Sequence, residues 1–203
     1  MPKLPQSGLS PWQEFKSKWT DCCMCPLYET RHNICLCRGN IPCDVLFVGE
    51  APGPSEDAIG QPFVGPAGKL LDKQINEALE NSGMTELRLG FTNLVCCIPR
   101  QGAGKGKFKE PPKECMDACW PRLKEFAHLC KPRLIVTVGD LSGKRLYGAA
   151  MFRHDDEPKQ PEWGELDFVS ITHPAAILRA EIVRQELMYH RSVVILESAF
   201  REL

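Results

Sequence analysis

Four short apolar runs, Val45–Val48, Phe91–Val95, Leu134–Val138 and Phe168–Ile171, constrain this chain more than any other feature. Each is rich in β-branched or aromatic residues and mostly lacks alternation. That is the pattern of strands buried on both faces of a parallel sheet. Helix-like stretches separate them: Ala67–Ser82, Pro112–Leu129 and Leu141–Tyr147, with a last one from about Glu181 to Phe200. In the last, Ile182, Val183, Leu187, Val194 and Phe200 form a rough apolar stripe. The alternation predicts the α/β class: a three-layer α/β/α sandwich around a four-stranded parallel sheet. A length of 203 residues suits one such domain spanning 1–203. Trp12, Phe15 and Trp19 recur at helical spacing and predict a short helix packed on its body.

In such a sheet, ligands bind at the carboxyl ends of the strands. The loops expected there carry Gly49-Glu50-Ala51-Pro52-Gly53, the segment after Asn93, and Thr172-His173-Pro174. A nucleotide fold is not indicated. Gly65-Pro66-Ala67-Gly68-Lys69-Leu70 resembles a P-loop only faintly: Phe63 stands where its first glycine belongs, and Leu70 where its Ser/Thr belongs. Gly65 to Gly68 nevertheless opens a helix, and a helix N-terminus can hold a phosphate through its free N–H groups.

Eleven cysteines are many for a chain with enough apolar residues to build its own core. Met1–Ser10 contains no apolar stretch of the kind that directs export, and no run approaches the roughly 20 apolar residues that span a bilayer. The expected setting is the cytosol, where thiols serve as ligands more readily than as disulfides. Cys22 and Cys25 have two-residue metal-site spacing, and Cys97 and Cys119 would complete a four-thiolate centre that clips distant segments together. Zinc and an iron–sulfur cluster both suit such a donor set. Cys115 competes with Cys119, and Cys35, Cys37, Cys43 and Cys130 read as small buried side chains. The net charge of −1 gives no global signal for nucleic acid, so any such contact rests on a local patch. Gly102–Lys109, with Lys105 and Lys107, is the basic loop that offers one.

Taken together, Gly49-Glu50-Ala51-Pro52-Gly53, Glu56-Asp57, Gly60-Gln61-Pro62-Phe63-Val64-Gly65 and Ala67-Gly68-Lys69-Leu70-Leu71 resemble the first motif of the family 4 (iron–sulfur) uracil-DNA glycosylases. Thr92-Asn93 resembles that family's second-strand motif, and His173-Pro174-Ala175-Ala176-Ile177-Leu178-Arg179 its C-terminal one. Cys22, Cys25, Cys97 and Cys119 fall where the family binds a [4Fe–4S] cluster. The resemblance implies a monomeric, monofunctional base-excision enzyme that acts on DNA, flips a base out of the stack and leaves an abasic site.

It also implies roles. Phe63 stacks on uracil, with Gly49 and Glu50 beside the base, and Asn93 reads the uracil edge, since a carboxamide offers both a donor and an acceptor. His173 donates toward the departing base. Glu50 either orients the attacking water or shapes the pocket against the thymine methyl. Gly65, Gly68 and Arg179 meet the DNA backbone, and Ile177 and Leu178 form an apolar wedge. Glu56 and Asp57 read either as functional residues or as loop caps.

Two departures stand out. The family's Cys-Arg-Pro-Pro is Cys97-Ile98-Pro99-Arg100 here, and a longer basic spacer follows. That altered segment opens an alternative with the same fold and a different base, hypoxanthine or a bulky modified pyrimidine of phage DNA. A non-catalytic iron–sulfur DNA-binding protein is the reading from another class.

Overall fold

The computed structural model describes residues 8–84, 86–100, 110–147 and 166–203. Its centre is a five-stranded sheet in the order β1-β3-β2-β4-β5. The strands are β1 (Arg38–Gly39), β2 (Val45–Gly49), β3 (Leu89–Asn93), β4 (Leu134–Val138) and β5 (Asp167–Ile171). β2 through β5 are parallel, and β1 pairs antiparallel with β3 at the edge. The expected four-stranded, wholly parallel sheet therefore gains a fifth strand. Its two residues, Arg38 and Gly39, carry no apolar run that could have announced it. The second apolar run, Phe91–Val95, is also displaced: β3 ends at Asn93, and Leu94 and Val95 continue as buried loop, donating to the Gly49 and Glu50 carbonyls.

Side chains alternate across the sheet and feed two cores. Val45, Phe47, Val136 and Val138 pack with Leu71 and Ile75 of α3 (Pro66–Ser82) and Val193, Leu196 and Phe200 of α7 (Ile182–Arg201). Leu46, Val48 and Ile135 face the other way, onto Phe15 and Trp19 of α1 (Pro11–Trp19) and Leu123 and Phe126 of α4 (Lys113–Cys130). Helices on both faces give the three-layer sandwich. Ser10 caps α1 and exchanges hydrogen bonds with Gln13, and the Phe15 and Phe126 rings meet at 5.5 Å between centroids.

Short helices finish the strand ends. They are α2 (Pro54–Ile59) after β2, α5 (Asp140–Tyr147) after β4 and α6 (Pro174–Arg179) after β5. Proline opens α2, α3 and α6, where a missing N–H costs nothing and a fixed φ helps. Among the described residues no helix is long and apolar enough to cross a membrane.

Candidate active site

A cleft opens at the carboxyl ends of β2, β3, β4 and β5, and the expected residues gather there. Glu50, Phe63, Gly65, Gly68, Asn93, His173, Leu178 and Arg179 all line it. Lys105 and Lys107 lie outside the described residues.

His173 follows β5 and is the N-cap of α6, where its Nδ1 accepts a hydrogen bond from the Ala175 amide at 3.1 Å. Burial first, then the charge of Arg179, pushes the imidazole down to about 4. The ring is thus neutral near pH 7. With Nδ1 committed as an acceptor, its one proton sits on Nε2, so the free nitrogen is a donor.

Asn93, only 3% exposed, closes β3. Arg122 holds its carbonyl at 2.6 Å, while among the described residues its carboxamide makes no hydrogen bond to the protein. Buried carboxamides are normally paired, so one left free on a cleft wall is set for something that enters.

Phe63 stands against the same corner. Its backbone is in the left-handed region, φ 57°, which an aromatic residue adopts only where the surroundings impose it. Two features impose it. Glu56 accepts from the amides of Gly53, Val64 and Gly65, tying the loop into one unit. Gly68 lets the Phe63 carbonyl approach to 2.0 Å from where a Cβ would sit. Gly49 is required in the same way: a Cβ there would lie 2.4 Å from Asn93 Oδ1 and 2.5 Å from the Phe63 ring.

Burial and the nearby Glu110 raise the Glu50 carboxyl above the ordinary glutamate range, and the Leu141 backbone and Arg179 partly restrain it. Gly139, with φ +100°, separates Glu50 from His173: a Cβ there would lie 2.9 Å from Glu50 Oε1 and 3.0 Å from His173 Cβ.

Glu56 and Asp57 are structural. Fully buried Asp57 binds the His32 amide and ring, the Asn33 amide and the Arg100 guanidinium. Ile177 requires a correction. It is 3% exposed and packed inward, so it is not available to enter DNA, whereas Leu178 is 46% exposed at the cleft. The physical reason is helical phase: on α6 the two neighbours point about 100° apart, and only one can face the core.

No sequence motif pointed to Gly139 or to the α7 residues Arg184, Met188 and Arg191, which also line the cleft, and Arg122 stood out only as part of the run Trp120-Pro121-Arg122-Leu123 beside Cys119. Arg122 had a signal: a charge set among Cys119, Leu123 and Phe126, on the face that packs inward.

Behind β3, Cys22, Cys25, Cys97 and Cys119 line one partly open cavity, with Cys96 beside them. No three described His, Cys, Asp or Glu side chains converge tightly enough for one metal ion. The donor set does fit a larger thiolate-held cluster. Among the described residues no carboxylate lines the cavity, and two arginines aim at its sulfurs: Arg31 to Cys97 at 3.1 Å, and fully buried Arg122 to Cys119 at 3.6 Å. Among the described residues Arg122 has no carboxylate partner, and its Nε is buried without one of any kind, so its charge calls for an anion on the sulfur side. A hydrogen bond from Cys96, followed by Arg122, holds the Cys119 thiol well below its usual range against the cost of burial, whereas burial pushes Cys115 up to about 12. Of these two competitors, Cys119 is the one that borders the cavity.

A three-layer sandwich with such a cleft at its strand ends has a known counterpart. Residues 38–191 match the family model described as the uracil DNA glycosylase superfamily, and the chain belongs to it. Within that superfamily it groups with the type-4 enzymes. It is 35% identical to the type-4 uracil-DNA glycosylase of Pyrobaculum aerophilum, over 82% of this chain and 84% of the relative. With that of Archaeoglobus fulgidus the identity is 31%, over 81% and 82%. The fold also matches the crystal structure of Pedobacter heparinus SMUG2, with a TM-score of 0.53 at 14% identity, covering 79% of this chain and 75% of that one.

Proposed function

We propose that this chain hydrolyses the N-glycosidic bond of uracil flipped out of DNA and leaves an abasic site. The observation that carries this reading is the pairing, on one cleft, of a free buried Asn93 carboxamide with a His173 whose only proton faces outward. Asn93 Oδ1 accepts from uracil N3–H and its Nδ2 donates to O4; cytosine reverses that pattern and leaves polar groups unpaired. Phe63 presents a π face to the flipped base. As the bond breaks, negative charge grows at uracil O2, and His173 Nε2–H stabilises it without transferring a formal charge to the ring. Glu50, beside His173 across Gly139, orients the water that completes hydrolysis.

Cys22, Cys25, Cys97 and Cys119 would hold a [4Fe–4S] cluster, which when bound supplies a structural clamp between the N-terminal segment, the exit of β3 and α4. The whole chain, 1–203, acts as one domain. In the cell the enzyme works on DNA in the cytosol as a monomer.

The test is excision from a labelled single-stranded oligonucleotide with one uracil, developed with alkali. The expected result is cleavage that His173→Ala lowers by about 100- to 1,000-fold, the size of losing one such donor. An uncut uracil strand from folded, metal-loaded protein overturns the proposal.

A further inference from the structure

We propose that the cleft face of α7 is a phosphate track, on which Arg184 and Arg191 hold the DNA strand to one side of the flipped nucleotide. This rests on the DNA reading above and extends it to a surface that lies outside every motif of the resemblance. Three arginines, Arg179, Arg184 and Arg191, make no side-chain hydrogen bond or ion pair among the described residues, and all three line the cleft. Every other described arginine is engaged by a carboxylate, a carbonyl or a sulfur. An arginine that keeps its full donor fork free at a cleft wall is suited to phosphate, which it binds with two parallel hydrogen bonds.

The spacing makes a track of them. Arg184, Met188 and Arg191 stand at i, i+4 and i+7 of one helix and share its cleft-facing stripe. At 1.5 Å rise per residue the two guanidinium stems are about 10.5 Å apart along the axis, far enough to hold different phosphates. Glu186 of the same helix and its N-cap Glu181 do not line the cleft, so the charges that α7 turns toward it are basic. The α5 side carries Asp140 and Lys144 in equal number, and so no net charge to compete for the backbone. Leu178 and Arg179 end α6 three residues before α7 begins, and the exposed wedge runs directly into the track. A strand seated this way is gripped asymmetrically: phosphates on one side of the lesion meet α7, and those on the other do not.

The experiment uses metal-loaded full-length protein and a fluorescein-labelled single strand carrying a stable tetrahydrofuran abasic site, with binding followed by anisotropy. The double variant Arg184→Gln/Arg191→Gln is expected to bind at least tenfold more weakly. Its log K against log salt slope becomes shallower by about 1.4, two phosphates at roughly 0.7 each for single strands. Shortening the strand on one flank is expected to weaken the wild type and to leave the double variant unchanged. Inhibition by free uracil stays at the wild-type level, because the base pocket is intact. An unchanged salt slope, or equal loss from trimming either flank, overturns the track. The binding readouts stand even if uracil proves not to be the excised base, so the two readings fail separately.

Discussion

At the scale of single residues, pH enters through two groups that face each other across Gly139. His173 is neutral down to about 4 because burial and Arg179 oppose its protonation. Protonating it would place a proton on Nδ1, against the Ala175 amide that now donates there. Glu50 is pushed above the usual glutamate range by burial and Glu110, so in the wild type it titrates before His173 as the pH falls. The expected kcat profile is flat through neutrality, with an acid limb set by Glu50. In Glu50→Gln the maximum is lower and the remaining limb moves down to about 4, read by single-turnover excision across pH. A limb near 6.5 in that variant would show His173 to be an ordinary, solvated histidine. The stability consequence has a definite sign. The unfolded chain protonates this residue near 6.5 and the folded chain near 4, so between those values the unfolded state binds more protons and stability declines with falling pH. Most of this site was legible beforehand, because His173, Asn93, Phe63 and Glu50 each sit beside a strand end or a glycine turn. The Ile177–Leu178 choice was not, since both are apolar and only the phase of a six-residue helix separates them.

Among elements, Arg122 joins parts that the sequence leaves far apart. It leaves α4, donates to Thr92 Oγ1 at 2.8 Å and to the carbonyls of Asn93 and Leu94 at 2.6 and 3.0 Å, and reaches Cys119. Thr92 Oγ1 in turn donates to the Leu36 carbonyl at 2.8 Å. One guanidinium thus fixes the end of the strand that presents Asn93 and anchors it to the thiol cavity. Arg122→Met removes a buried cation and strands two carbonyls, an expected cost of about 3–5 kcal/mol, measured as a shift in denaturant midpoint. Arg122→Lys keeps the charge on a single ammonium and cannot serve all four acceptors. It is expected to fold and to lose about tenfold or more in kcat, with inhibition by free uracil weakened and affinity for the abasic strand retained. Equal loss of all three properties would make Arg122 a packing residue with no part in placing Asn93. Long elements such as β2, β4 and α3 were readable because periodicity and length both speak for them. β1 and α2 were not, since their positions are set by contacts with distant segments and not by their own few residues.

For the whole molecule, the two faces of the sheet are built on different principles. The α3–α7 face is a continuous apolar core of valine, leucine, isoleucine and phenylalanine. The α1–α4 face also has aromatic anchors, but the thiols interrupt it: Cys22, Cys25, Cys97 and Cys119 pack into the same cluster as Phe15, Trp19, Leu27 and Phe126. The segment between α1 and β1 has little secondary structure of its own, a single turn of 3₁₀ helix at Pro26–Glu29. Its order therefore depends on what ties it to β3 and α4. A metal cluster bound by thiolates contributes folding free energy directly, since the unfolded chain has no such cage. Without the proposed cluster, Arg31 and Arg122 would be cations with no anionic counterpart, on a wall that also holds the end of β3. Exhaustive chelation is thus expected to lower the melting temperature by several degrees or more. It should expose amides of α1 and of residues 20–37 to hydrogen exchange before those of α3 and α7, because the α3–α7 core contains no cysteine. Excision then falls with local order, through the displaced Asn93. If activity vanished while exchange in both layers stayed native, the cluster would act on the chemistry and not on the fold. If exchange rose equally on both faces, the sandwich would be one cooperative unit and the division into two cores would carry no energetic meaning.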